Sequence, residues 1–200
     1  MFVSLEGIDG AGKSTQAELL AAALGPDSLL LREPGGTPVG EQLRELLKDP
    51  SVELSPRTEL LLFIAARAEL VSSVIRPARA AGRSVVCDRF LDSTVAYQGA
   101  ARGLGVEIVR ELNHLAVGDC VPERTVLLRL PPAEAGSRGA GRGEGGADRF
   151  ELEGPAFQAR VAAAFDRLAE AEPDRFASVD ASAGVEQVHR DVLEALGISG

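Results

Sequence analysis

The octet Gly7-Ile8-Asp9-Gly10-Ala11-Gly12-Lys13-Ser14 constrains this 200-residue chain more than any other stretch. It satisfies G-x-x-x-x-G-K-[ST] in full, with the apolar run Phe2 to Glu6 before it and a helical pattern from Ser14 to Leu24 after it. That is the context a phosphate-binding loop requires. Its glycines let the backbone turn N–H groups toward a phosphate, the helix N-terminus adds a favourable field, and Lys13 reaches phosphate oxygens. Ser14 is placed to ligate magnesium, with Thr15 beside it. Asp9 is the odd member, an acid inside a loop built for anions.

Beyond the loop, apolar runs at Ser28 to Leu31, Ser84 to Cys87, Thr125 to Leu130 and Phe176 to Val179 read as four more strands. Helices are expected from near Val39, from Pro56 to Ala81, Ser93 to Ala100, Val106 to Val117, Glu153 to Glu172 and Val185 to Leu196. This alternation predicts an α/β fold, a five-stranded parallel sheet with helices on both faces and ligands at the carboxyl ends of the strands. One domain over residues 1–200 suffices. The segment PPAEAGSRGAGRGEGGADR is so rich in glycine that mobility is expected, and its arginines mark about 133–150 as a lid.

A formal charge of −9, from 30 acidic and 21 basic residues, argues against nucleic acid or an anionic membrane as a partner. No run approaches the length of a membrane span, and no targeting segment precedes the first strand, so a cytoplasmic protein is expected. Cys87 and Cys120 stand far apart and read as small core residues. Val85 to Asp88 ends an apolar run in a carboxylate; Asp88 is a second candidate magnesium ligand, with a helix cap as the alternative.

The stretches GIDGAGKSTQ, REPGG, LLFIAARAEL, CDRFLDSTVAYQG and DRFE occur in this order, and together they resemble the thymidylate kinase family over nearly the whole chain. The resemblance implies a P-loop nucleoside monophosphate kinase fold. It further implies transfer of the ATP γ-phosphate to dTMP, giving dTDP for dTTP synthesis, by a magnesium-dependent homodimer. Gly7 to Thr15 would then hold ATP. A monophosphate dianion is already a nucleophile, so no strong base is needed. His114 and His189 accordingly read as structural or solvent-facing.

Residue by residue, the resemblance makes Phe63 the ring that stacks on thymine and Arg67 the donor to its O4; four apart on a helix, they point the same way. Arg89 corresponds to the arginine on the acceptor phosphate, and Thr94 and Gln98 to the contacts on the pyrimidine edge. Tyr97 either crowds the sugar C2′ position or packs in the core. Arg44 is a phosphate contact or half of a surface ion pair. Glu33-Pro34 corresponds to a segment with a cis proline near sugar and phosphate, and Asp9 to an acid that faces the acceptor and orients arginines such as Arg44 or Arg89.

Two departures stand out. Some relatives carry an arginine inside the loop where this chain has Gly10-Ala11, so the extra cation is expected from the lid: Arg142 first, with Arg149 and Arg138 as alternatives. Arg129 ends the fourth strand where the family usually has an acid. Lys13, Arg89, Arg142 and Asp9 are thus the expected catalytic set. Rival readings are another nucleoside monophosphate or deoxynucleoside kinase, and a P-loop switch without acceptor chemistry.

Overall fold

The computed structural model describes residues 1–139, 149–150 and 152–198. Strands β1 (Phe2–Glu6), β2 (Leu29–Arg32), β3 (Val85–Asp88), β4 (Arg124–Arg129) and β5 (Phe176–Asp180) pair in parallel in the order β2-β3-β1-β4-β5. Every residue of β1 is buried, the mark of a central strand covered on both faces. Val3, Leu5 and Val86 enter the larger apolar cluster, while Phe2, Val85 and Cys87 point the other way into a smaller one. Strand alternation thus divides the core in two. Both cysteines are buried and free.

The helices are α1 (Lys13–Ala23), α2 (Pro38–Lys48), α3 (Pro56–Leu70), α4 (Arg76–Ala80), α5 (Leu91–Thr94), α6 (Val106–Val117), α7 (Pro132–Gly139), α8 (Pro155–Ala171) and α9 (Val185–Ala195). Thr37 caps α2 by accepting from Gly40 N–H at 2.9 Å, and Ser55 caps α3 by accepting from Thr58 N–H at 3.2 Å. In both, proline follows the cap, where a missing N–H costs nothing. Among the described residues no helix is long and apolar enough to cross a membrane.

The structure adds three features to the expected helices. The helix expected from Pro56 to Ala81 carries a π turn at Val71–Ile75. Pro77 explains it: its ring has no N–H and would crowd the carbonyl of Ser73, four residues back, and the wider turn relieves that. A second π segment, Val95–Ala101, follows α5 where a plain helix is expected, with Arg102 N–H donating to Tyr97 O at 2.8 Å. It seats Gly99 against α6, where a Cβ would lie 3.4 Å from Val106 Cα. Pro132 starts α7, which carries helix into the glycine-rich segment as far as Gly139. Proline suits the first turn of that helix, and its two glycines, Gly136 and Gly139, fall in the second half.

The chain order makes β1 the strand at which the sheet changes direction, with β3 on one side and β4 on the other. Its carboxyl end opens into the phosphate loop. The crevice at such a switch point is where ligands of open α/β sheets bind.

Candidate active site

The loop leaves β1 with Gly7, Gly10 and Gly12 at φ of 142°, 83° and 90°. At Gly7 a Cβ would meet Leu128 O at 2.6 Å, and at Gly10 it would meet Ala135 O of α7 at 2.5 Å. Both must be glycine for the loop to lie where it does. Lys13 opens α1, and its Nζ donates to Ile8 O at 2.7 Å, so the side chain folds back over the loop it closes. Burial, then the neighbouring Arg89, lower the Lys13 ammonium to about 8. Phosphate oxygens beside it would restore the charge.

Asp88, at the end of β3, accepts from Ser14 Oγ through Oδ2 at 2.5 Å. Its Oδ1 is buried with no hydrogen-bond partner among the described residues. A hydroxyl and a half-committed carboxylate therefore meet at the loop. Among the described residues no group of three His, Cys, Asp or Glu side chains is placed to hold a metal, so any ion there draws most ligands from elsewhere.

Arg89 adopts a left-handed φ of 69°, a conformation rare for residues other than glycine and held only where its surroundings fix it. Its N–H donates to Leu5 O at 3.0 Å, and the next N–H, of Phe90, donates to Glu6 Oε1 at 2.7 Å. Ser93 Oγ donates to Glu6 Oε2 at 2.6 Å and accepts from Arg89 Nη1 at 3.2 Å. The bend throws the guanidinium back to Asp9, which it grips through Nη2. Tyr97 OH donates to the other Asp9 oxygen at 3.2 Å. Burial would raise the Asp9 carboxyl, yet Arg89, then Lys13, hold it below its ordinary value. The acid in the loop is an anchor for Arg89.

A cleft of about 640 Å³ runs from this loop past Arg32, Arg44 and Lys48 to Phe63 and Arg67. Asp9, Gly10, Gly12, Lys13, Ser14, Glu33, Pro34, Asp88, Arg89, Thr94, Tyr97 and Gln98 also line it, so most of the expected residues come together. Arg44 Nη1 donates to Pro34 O at 2.8 Å, while Arg89 is the arginine that Asp9 orients. The Glu33–Pro34 peptide is cis. Tyr97 packs in the core, its ring edge-on against Phe157 and Phe165, and it also borders the cleft.

At the far end Phe63 is partly exposed and tilted against Phe150, ring centroids 5.7 Å apart. Arg67 is fully buried, its Nε and Nη2 donating to Glu33 Oε2, a second Nη2 bond going to Phe90 O at 3.1 Å and Nη1 donating to Asn113 Oδ1 at 2.7 Å. Of five guanidinium N–H groups, four are used, and one on Nη1 has no partner among the described residues. Glu33 Oε2 is committed to Arg67, while its Oε1 is buried with no hydrogen-bond partner among the described residues.

The lid candidates divide. Arg142 and the side chain of Arg138 lie outside the described residues. Arg149 is held by Glu59 and lies 5.8 Å from the Phe150 ring centroid, beside the wall that carries Phe63. Arg129 pairs with Asp166 of α8 at 2.9 Å.

Glu6, Glu59 and Asn113 escaped the sequence reading, though each left a trace. Glu59, Phe63 and Arg67 recur every four residues and form one stripe of α3. Asn113 falls midway between buried Val109 and Val117 on the apolar face of α6. Glu6 closes a fully buried strand in which Ser4 is the other polar residue. A polar residue on a buried face requires a partner, and here the partners are the site.

Residues 5–192 match the thymidylate kinase family. The chain is 48% identical to a thymidylate kinase of Pseudomonas putida over 96% of its own length and 92% of the relative's. It is 43% identical to one of Deinococcus radiodurans, covering 100% and 98% of the two chains. A crystal structure of thymidylate kinase from Ehrlichia chaffeensis superposes with a TM-score of 0.81 at 33% identity, covering 98% of each chain. With a phosphate loop at one end of a cleft and an aromatic and arginine pair at the other, the chain belongs to the thymidylate kinase family.

Proposed function

We infer that the chain transfers the γ-phosphate of ATP to dTMP, giving dTDP for dTTP synthesis. The observation that carries this reading is the single cleft joining Lys13 and the phosphate loop to Phe63 and Arg67, with the Asp9–Arg89 pair between. Membership of the family supports it. In this reading the loop holds the ATP phosphates, Phe63 covers thymine, and the spare Nη1 hydrogen of Arg67 meets its O4. Arg44 and Arg89 take the acceptor phosphate, and Tyr97 closes the space at the sugar.

The acceptor phosphate is a dianion, so the protein has little proton transfer to perform. Its task is to align two phosphates that repel each other and to place cations around the one that moves. Lys13 and Arg89 supply two, and Arg142 of the lid, over about 133–150, supplies a third on closure. Asp9 keeps Arg89 aimed. Ser14 and Asp88 fit a magnesium ion, because both offer hard oxygens and Asp88 Oδ1 has no hydrogen-bond partner among the described residues. When bound there, magnesium neutralises phosphate charge and orients the oxygens.

One kinase domain acting as a homodimer in the cytoplasm completes the reading. Leu61 of α3 and Ile108 and Leu115 of α6 are exposed on two adjoining helices, which supports a self-association face. Light scattering at micromolar concentration checks it. For the reaction, a coupled assay offers dTMP, dUMP, dCMP, AMP and GMP with ATP and magnesium. Preference for dTMP is expected; equal turnover of all five, or preference for a purine, overturns the reading.

A further inference from the structure

Glu59 of α3 is 1% exposed, yet it faces three donors. Gln98 Nε2 donates to its Oε1 at 2.8 Å, Arg102 reaches both oxygens through Nε and Nη2 at 3.1 and 3.2 Å, and Arg149 Nη2 donates to Oε2. Two guanidinium groups can only donate, and a carboxylate facing them can only accept. The Gln98 amide alone has two different ends, and with a carboxylate at one side it must turn its NH2 there. Its carbonyl is then left on the side of the cleft that Gln98 lines.

We propose that Glu59 is a positioning residue for base selection, fixing the Gln98 amide so that its carbonyl faces the pyrimidine edge of the acceptor. The proposal rests on the cleft being the dTMP site. Gln98 then presents an acceptor while Arg67 presents a donor. Thymine offers the complement, a donor at N3–H and an acceptor at O4. Cytosine offers an N3 lone pair and an amine, a mismatch at both places. Because Gln98 is 2% exposed, it has no water to compensate a wrong orientation. Base choice therefore extends to a side chain that need not touch the base.

The test compares kcat/KM for dTMP and 5-methyl-dCMP, which differ only in the hydrogen-bonding edge of the base, in the wild type, Glu59→Gln and Gln98→Ala. In Glu59→Gln the two arginines hold the carbonyl of the introduced amide, its NH2 turns to Gln98, and the Gln98 amide reverses. The expected result is a fall of about tenfold or more in the dTMP to 5-methyl-dCMP ratio, carried by a higher dTMP KM with kcat within about threefold. A purely structural role would lower both substrates together and leave the ratio alone, which overturns the proposal. A ratio that falls in Gln98→Ala only also overturns it, while leaving base reading by Gln98 intact. Wild-type protein that turns over no dTMP overturns the underlying function instead. Should Glu59→Gln not fold, the Gln98 side-chain amide is followed by NMR in the wild type, assigned by its loss in Gln98→Ala. Protection of its NH2 from exchange before dTMP is added supports the proposal; protection appearing only with dTMP overturns it.

Discussion

Arg67 and Glu33 meet with almost no water around them, the guanidinium donating to one carboxylate oxygen through Nε at 2.9 Å and Nη2 at 2.5 Å, with side-chain exposures of 1% and 4%. Removing one partner strands the other. Glu33→Ala is therefore expected to lower unfolding free energy by about 3–5 kcal/mol. Urea unfolding measures it, and a loss below about 1 kcal/mol, the scale of an exposed pair, would show that the contact does not hold Arg67.

Phe63 contributes a flat apolar face at the end of the cleft away from Lys13. Phe63→Ala is expected to raise the dTMP Kd by about tenfold or more while sparing ATP, on the scale of an aromatic stacking contact. Calorimetric titration of each nucleotide separates the two effects. Parallel weakening of ATP would point to misfolding.

Arg142→Ala is expected to depress kcat by about 100-fold or more with little change in dTMP affinity, since one preorganised donor is worth roughly 3 kcal/mol at the transition state. Steady-state kinetics at saturating ATP read this directly. Full kcat in the variant removes Arg142 from the mechanism.

Glu6 links folding to pH. Burial, then the neighbouring Asp92, raise its carboxyl from 4.5 to about 8. The folded chain thus binds a proton that the unfolded chain has released, and the stability tied to that proton is full below about 4.5 and lost as pH rises through about 8. Glu6→Gln cannot titrate, so the wild type should lose ground to it steadily from about pH 5 to pH 8 and no further above that. The loss is a few kcal/mol at most, because each tenfold change in proton affinity is worth about 1.4 kcal/mol. Unfolding curves at three pH values check it; a constant difference between the two proteins would refute the linkage.

Local pattern carried the strands and their order of appearance, because five apolar runs punctuated by glycine and proline leave few arrangements for a parallel sheet. The loop motif and the Phe63 and Arg67 spacing were legible for the same reason, being confined to one or two turns of chain. What the pattern missed depends on distant partners. Glu59 and Arg149 are 90 positions apart, and Glu6 and Phe90 84, so nothing near either residue announces the pairing. Both π segments were also hidden, since a widened turn keeps the apolar spacing of an ordinary helix over so few residues.

Gly10 packs so closely under Ala135 that a single added carbon would collide with the backbone of α7. A cation rooted in the loop and a helix seated on the loop thus compete for one volume. A lineage moving its extra positive charge between loop and lid cannot do so by one exchange at position 10, because α7 must lift before any side chain can enter. The seating of a helix thus decides what position 10 can carry.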